Sequence, residues 1–513
     1  MSLIEFLWRS RDRYPLSEAL VDEEVRWTYQ ELTQRVERVA ENLAQRGIKL
    51  GDHVLVVMTN RRENIISYWA CQRLGAIYTP VNFRLSEAEL AYCIQDSCPR
   101  LIVAEEGVGV THRLVDLSRY LEPSAPIVWV GRNHENDSFD SLYQSFSPSL
   151  SSDDLPVDSG TAIMLYTAGT TGRPKGVPRT HTNEISAAAA HIIQNRYEML
   201  ESTVAIMPFY HTMGMRSLLA TTFLNGKLVL LPRYDSAKLA AAIAREQVSA
   251  LYLVPTLFYD LASLPHIEQF NFHLLTKIGY AGAAMTSALT TQCFERFHPE
   301  IFVNHFGSSE VYTFSVCSWL DRKPTCAGRA GFHEQIRLVE INPGSGDPRA
   351  LVKPGTPGEV IVNLSSPEAF HGYWNRPDAT RAALRDGWYF TGDVAYQDDD
   401  GDLWVQGRVD DMIISGGENI HPLEVEDVLS QHPHVAEVAV AGIDDPKWGQ
   451  IVAAFVVRLD PSLTTEELNQ YCLANTTLAD FKRPRQYIFV TEIPKSPVGK
   501  ILRRKLREKD YRP

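Results

Sequence analysis

Cysteine is sparse in this chain. Seven thiols occur in 513 residues, an odd number, and no two form a Cys-x-x-Cys pair. That argues against a disulfide framework and for a reducing, cytoplasmic setting. Long apolar runs are missing as well; none approaches the ~18 residues that a membrane helix needs. The opening stretch MSLIEFLWRSRDRYP has an acid inside its apolar part and no basic leader, so the first turns of an amphipathic helix are expected there, not a secretory signal. Internal repeats and low-complexity blocks are absent. So is an excess of positive charge: the net charge is −13, which argues against nucleic acid as the main partner.

The charge that is present is unevenly placed. Residues 481–513 hold eleven Lys or Arg and three Asp or Glu, a local net of +8, so the rest of the chain carries −21. Such a tail reads either as a solvated basic surface or as one that meets a polyphosphate.

The length exceeds what one hydrophobic core usually supports, so two or more domains are expected. The first half alternates helix-like and strand-like segments. Residues 28–47 open with Thr28, place Glu31 three positions on as in a capping box, show apolar periodicity near 3.6 and end at Gly47. Short apolar strands recur, among them HVLVVMT, PRLIVAEE, GKLVLLP and KIGYAGA. Strands alternating with helices predict an α/β fold with largely parallel sheets. After about Phe332 the texture changes to hairpins with Gly, Asp and Pro turns, a small β-barrel-like part. The acidic stretch DDDGD at 398–402 lacks EF-hand spacing and the closing Glu, so turn chemistry is the better reading. The last hundred residues read as a small α+β unit. The division predicted is 1–408, a hinge at 409–411, and 412–513.

One segment, YTAGTTGRPKG at 166–176, has the makings of a phosphate loop. A Walker loop puts Lys directly after its last glycine and Ser or Thr after that; here Lys175 follows Pro174 and precedes Gly176. The GxGxxG fingerprint fails too. What remains is physical: Gly169, Gly172 and Gly176 allow an anion nest, Thr167, Thr170 and Thr171 add hydroxyls, and Lys175 adds charge. A Gly/Thr surface loop without a ligand stays an equal alternative on composition alone.

This segment resembles the signature loop of the adenylate-forming enzymes, which include acyl- and aryl-CoA synthetases, luciferases and peptide-synthetase adenylation domains. The family usually has Ser where Ala168 stands. Matching segments recur in order across essentially the whole chain, as far as PKSPVGK at 494–500. GRVDDMIISGGENIHPLEVEDVL and LADFKRPRQY are most similar to the aryl-CoA ligase branch, 4-chlorobenzoate–CoA ligases among them.

The resemblance implies an ATP-dependent ligase that turns a carboxylic acid into an acyl-AMP and then into a thioester of coenzyme A. It implies roles by position. Thr167, Gly169, Thr170, Thr171, Gly172 and Lys175 would hold phosphates, with Glu310 on Mg²⁺. His211 would stand where the acid meets the α-phosphate. Ala281, Gly282, Ala283, His305, Phe306 and Gly307 would wall the adenine, Ser309 would meet the α-phosphate, and Asp393 and Arg408 the nucleotide. Lys500 would be the adenylation lysine, brought in by rotation at Asp410. Arg84, Trp448, Phe481, Arg483 and Arg485 would contact CoA. The acyl pocket would be lined by His211, Met213, Arg216, Phe258, Tyr280, Ala284, His305 and Val311. His305 and Arg216 depart from an oily benzoate pocket and point to a polar or acidic group on the substrate, with a solvent-facing Arg216 as the equal alternative. The implied partners are the acid, ATP and CoA, with no membrane span, and a homodimer stays open. Two rivals remain: an enzyme loading a carrier-protein thiol, and a nucleotide-binding regulator on an inactive scaffold, to which Ala168 lends its one support.

Overall fold

The computed structural model describes residues 1–118, 124–131, 138–143, 160–167, 174–342, 346–476, 478–496 and 501–512. Four sheets organise the chain. A six-stranded sheet runs in the order Ile127–Val130, Leu101–Glu105, His53–Val57, Ile77–Pro80, Thr161–Thr167, Lys175–Thr180. Its pairs are parallel except the last, which is antiparallel. A nine-stranded sheet has a parallel inner run, Ile301–Phe306, Lys277–Ala281, Ala250–Leu253, Ser202–Ala205, Lys227–Leu230 and Glu18–Asp22. Antiparallel strands close its edges.

These strands form where the sequence is short, apolar and buried on both faces, as parallel strands flanked by helices must be. The helix Tyr29–Gln45 starts where expected: Thr28 accepts the N–H of Glu31, and the Glu31 carboxylate accepts the N–H of Thr28 at 2.9 Å. It buries Leu32, Val36, Val39 and Leu43 in the core it shares with the helix Arg62–Leu74. That second helix is buried nearly all round, and it stops at Gly75 in the left-handed region.

Past residue 332 a five-stranded antiparallel sheet gathers Ile336–Val339, Gly358–Asn363, Leu384–Arg385, Trp388–Gln397 and Leu403–Arg408, and its edge strands bridge on to Leu351 from Val339 and to Gly328 from Leu403. The acidic turn at 398–402 is clamped from outside. Lys323 Nζ lies 2.7, 2.8 and 2.6 Å from carboxylate oxygens of Asp398, Asp400 and Asp402, and Arg329 adds a bond to Asp402 at 2.9 Å. Turn chemistry with an internal cation accounts for the acids there.

The fourth sheet lies within residues 413–489, with Gly449–Arg458 at its centre, and covers its own core of Val425, Val440, Val452, Leu468 and neighbours. Much of the basic tail is paired with acids between 411 and 437: Lys482 with Glu424, Lys495 with Glu437, Arg503 with Glu426 and Arg507 with Asp411. The tail is therefore less positive to its surroundings than its composition suggests. One contact to the large sheet's layer is the Asp427 carboxylate, which accepts Ser287 Oγ–H at 2.8 Å.

Candidate active site

The carboxyl ends of parallel strands are the usual place for a ligand in such sheets. Thr167 and Lys175 face each other across the antiparallel pair that flanks the phosphate loop. Gly169, Thr170, Thr171 and Gly172 lie outside the described residues, as does Lys500.

Lys175 is half-buried, with Nζ 4.5 Å from the centre of the Tyr373 ring. Tyr373 donates its hydroxyl to Glu310 Oε1 at 2.7 Å. Burial pulls the Lys175 pKa below the ordinary lysine value, and the charge of Glu310 opposes that shift. An incoming polyphosphate would offset that shift by favouring the charged form. Tyr373 was not foreseen in the sequence.

A second unforeseen residue holds this corner together. Arg179, fully buried, pairs through Nε with Glu184 Oε1 at 2.6 Å and stacks 3.7 Å over Tyr312. Its Nη1 donates to the carbonyls of Ser309, Glu310 and Glu368 at 3.3, 3.2 and 2.8 Å. The strand Lys175–Thr180 is thereby tied to the turn that carries Ser309 and Glu310. Phe306, at the end of its strand, is half-buried with its ring edge-on to Phe314.

Asp393 and Arg408 sit opposite each other on paired strands, with Arg408 Nη1 2.9 Å from Asp393 Oδ1 and 2.8 Å from the Thr391 carbonyl. The Asp393 charge is the main cause that raises the Arg408 pKa. Gly392 makes room for this pair: at φ +72° a Cβ would lie 2.8 Å from Arg408 Nη2.

His211 caps the helix Thr212–Phe223, and its Nδ1 accepts the N–H of Met213 at 3.3 Å. Burial, then the charge of Arg216, push its pKa down to about 4. The imidazole is thus neutral, with its proton on Nε2. Met213 lies beside Gly282, Ala281 is buried at its strand end, and Ala283 and Ala284 are partly or fully open to solvent.

Arg216 does not face solvent. It is 2% exposed, and donates to Tyr252 Oη at 3.2 Å and Thr313 Oγ1 at 2.6 Å. His305 is buried in the same layer, 5.5 Å from Tyr252 by ring centres. Two expected pocket residues point the other way. Tyr280 and Phe258 pack with Phe302, on the face opposite Gly279 and Tyr252, because successive residues of a strand alternate. Val311 packs with Val177, Phe370 and Tyr373 instead of lining a pocket with Arg216.

In the region 413–489, Arg485 stacks 4.5 Å over the Trp448 ring. Arg483 turns away to hydrogen-bond Asn469, and Phe481 is exposed in the turn Asp480–Lys482. Arg84 lies elsewhere, exposed and 5.4 Å over Phe83. Asp410 sits in the turn Val409–Asp411, where Arg507 reaches its carbonyl at 3.5 Å.

Comparison with known proteins decides what this arrangement belongs to. The family model described as AMP-binding enzyme matches residues 7–374, and the AMP-binding enzyme C-terminal domain matches 424–500. The chain belongs to the AMP-binding enzyme family. It is 33% identical to a 4-chlorobenzoate–CoA ligase of Arthrobacter sp over 506 residues, covering 97% of this chain and 93% of that one. It is 33% identical over 490 residues to a feruloyl-CoA synthase of Amycolatopsis sp, 94% of each chain. Among solved structures it resembles the o-succinylbenzoate CoA synthetase from Bacillus subtilis in complex with its acyl-adenylate intermediate. The TM-score is 0.82 at 27% identity, over 98% of this chain and 97% of that one. This family member is an AMP-forming acyl-CoA ligase, joining a carboxylic acid to CoA through an acyl-adenylate at the expense of ATP. No helix among the described residues is long and apolar enough to cross a membrane.

Proposed function

We propose that this ligase activates an aryl or small polar carboxylic acid, with the site residues divided between two steps. One observation carries the assignment: Lys175 and Glu310 flank a single tyrosine, so a cation and a hard-ion carboxylate face the same space.

In the first step a substrate carboxylate oxygen attacks the α-phosphorus of ATP, the bond to the β-phosphate breaks, and pyrophosphate leaves. Negative charge lies on attacker, centre and leaving group, so positioned donors and cations carry the catalysis. Thr167, Gly169, Thr170, Thr171, Gly172 and Lys175 hold the leaving phosphates. Ser309 meets the α-phosphate, and Lys500 bridges it to the carboxylate. Neutral His211 presents Nε2–H to the carboxylate without competing for a proton. Asp393 accepts ribose hydroxyls while Arg408 holds its carboxylate in place, and Ala281, Gly282, Ala283, Phe306 and Gly307 wall the adenine.

A divalent cation fits this site. Glu310 supplies one carboxylate, as Mg²⁺ needs when phosphates provide its other ligands. Bound there, Mg²⁺ would neutralise charge on the phosphate oxygens.

In the second step the thiol sulfur of CoA attacks the acyl carbonyl, AMP leaves, and the thiol proton passes to solvent. Lys500 has no task in that step. Rotation of 412–513 about 409–411, at Asp410, removes it and presents Trp448, Phe481, Arg483 and Arg485, with Arg84 from the larger part, to CoA. The setting is cytoplasmic, where CoA is reduced.

A pyrophosphate-release assay over aliphatic, aryl and hydroxylated acids, with and without CoA, tests the reading. Pyrophosphate with particular acids and AMP release that requires CoA are expected. Turnover indifferent to CoA would overturn the thiol assignment.

A further inference from the structure

A closed layer of polar side chains lies where the helices His181–Asn195 and Thr212–Phe223 pack on the large sheet. His191 and His305 stand 5.3 Å apart by ring centres, and His191 is 4.7 Å from Tyr252. Asn195 donates to the His191 carbonyl at 2.7 Å and lies 3.4 Å from His305 Nε2. Arg216 enters this layer from the second helix, hydrogen-bonds only neutral hydroxyls, and lies 5.1 Å over the Tyr312 ring. It makes no ion pair among the described residues, whereas the equally buried Arg179 is paired with Glu184.

Three ring and guanidinium nitrogens here are buried with no hydrogen-bond partner: Arg216 Nε, His305 Nδ1 and His191 Nε2. Unpaired buried donors are rare and costly, and an unpaired buried charge more so. The charge is met by the face of the Tyr312 ring and, at longer range, by the carboxyls of Glu334 and Glu368. His191, His211 and His305 are held neutral by burial and by Arg216 itself. Burial pushes Glu334 and Glu368 up to about 8 and about 7, and Arg216 opposes both shifts. The layer keeps three buried nitrogens that an incoming acceptor could satisfy.

Arg216 stands five residues after His211, the N-cap of its helix, about 7.5 Å further along the axis and about 140° round it. Gly279 keeps the wall thin, since a Cβ there would meet Asn195 Oδ1 and Tyr252 at 3.0 Å.

We propose that this layer is the far end of the acyl site, and that Arg216 receives a second carboxylate of the substrate, so that the preferred acid is a compact dicarboxylic acid. The second carboxylate accepts from Arg216 Nε and from an imidazole N–H of His305 or His191, which satisfies the donors left over. The inference rests on the ligase reading given above.

The test is pyrophosphate release by the full-length protein with acids matched except at one group: glutarate against pentanoate, and isophthalate against 3-methylbenzoate and 3-hydroxybenzoate. The dicarboxylate is expected to lead its partner by at least about tenfold in kcat/KM, mainly through KM. In Arg216→Met that ratio should fall to about one or reverse, and Arg216→Lys should keep part of it. A purely structural arginine would cost both members of a pair equally. An unchanged ratio in Arg216→Met overturns the proposal, as does a wild-type preference for the methyl or hydroxy acid. If Arg216→Met does not fold, the wild-type ratios decide alone. Release with monoacids only refutes this inference and leaves the ligase reading intact; release with no acid at all refutes both.

Discussion

Lys175 Nζ lies 4.5 Å above the ring of Tyr373. The tyrosine thereby joins the lysine of the phosphate loop to Glu310, whose carboxylate takes its hydroxyl. Tyr373→Phe keeps the ring under the ammonium and removes one hydrogen bond to a charged group. The KM for MgATP should rise by roughly tenfold, with little change in the KM for the acid. Initial rates of pyrophosphate release at varied ATP check this, and an unchanged ATP dependence would remove Tyr373 from the site.

Arg179 and Glu184 are both fully buried and ion-paired. Removing one partner strands a charge, which typically costs about 3–5 kcal/mol, whereas removing both costs less. Arg179→Met should therefore destabilise the protein more than the double change Arg179→Met with Glu184→Gln. Denaturant midpoints of the two variants measure the difference; equal loss would show that the pair is not what Arg179 is for.

Much of this was legible in the sequence. The capping box at Thr28 and the alternating strands and helices follow from local signals. What was not legible depends on long-range contact or on phase. Arg179 bonds to Glu368, 189 positions away, and no local pattern announces such a partner. The sequence puts Tyr280 in a pocket wall, whereas it is Gly279 that shares the face of Tyr252. A strand buried on both faces shows no polar alternation, so its phase cannot be read from its composition. Arg216 looked ambiguous because a charged residue in an apolar helix faces solvent more often than it enters a core.

Glu334 and Glu368 should make stability fall with rising pH. Both are pushed up by burial, to about 8 and about 7, against an ordinary value of 4.5. Between the unfolded and folded values the native state binds more protons than the unfolded chain. Stability is therefore greatest near pH 4.5 as far as these groups are concerned, and declines until about pH 8. Glu368→Gln removes its share, and should raise stability at pH 8 by about 2 kcal/mol relative to its effect at pH 5. Thermal unfolding of the wild type and this variant at both pH values checks the sign. A variant shift independent of pH would mean that Glu368 titrates normally.

Lys500 separates the two proposed steps. If it serves only the attack on the α-phosphate, Lys500→Ala should abolish acyl-AMP formation, the loss of a cation at that transition state being worth at least about a hundredfold. Thioester formation from supplied acyl-AMP and CoA should stay within about threefold of wild type, since the lysine is then elsewhere. Asp410→Pro fixes the hinge in one setting and should lose at least one half-reaction while ATP binding persists. Half-reactions measured separately, by acid-dependent pyrophosphate exchange and by CoA-dependent AMP release, distinguish these outcomes. Equal loss of both in Lys500→Ala would mean that one fixed arrangement performs the whole reaction and that the rotation about 409–411 is not part of it.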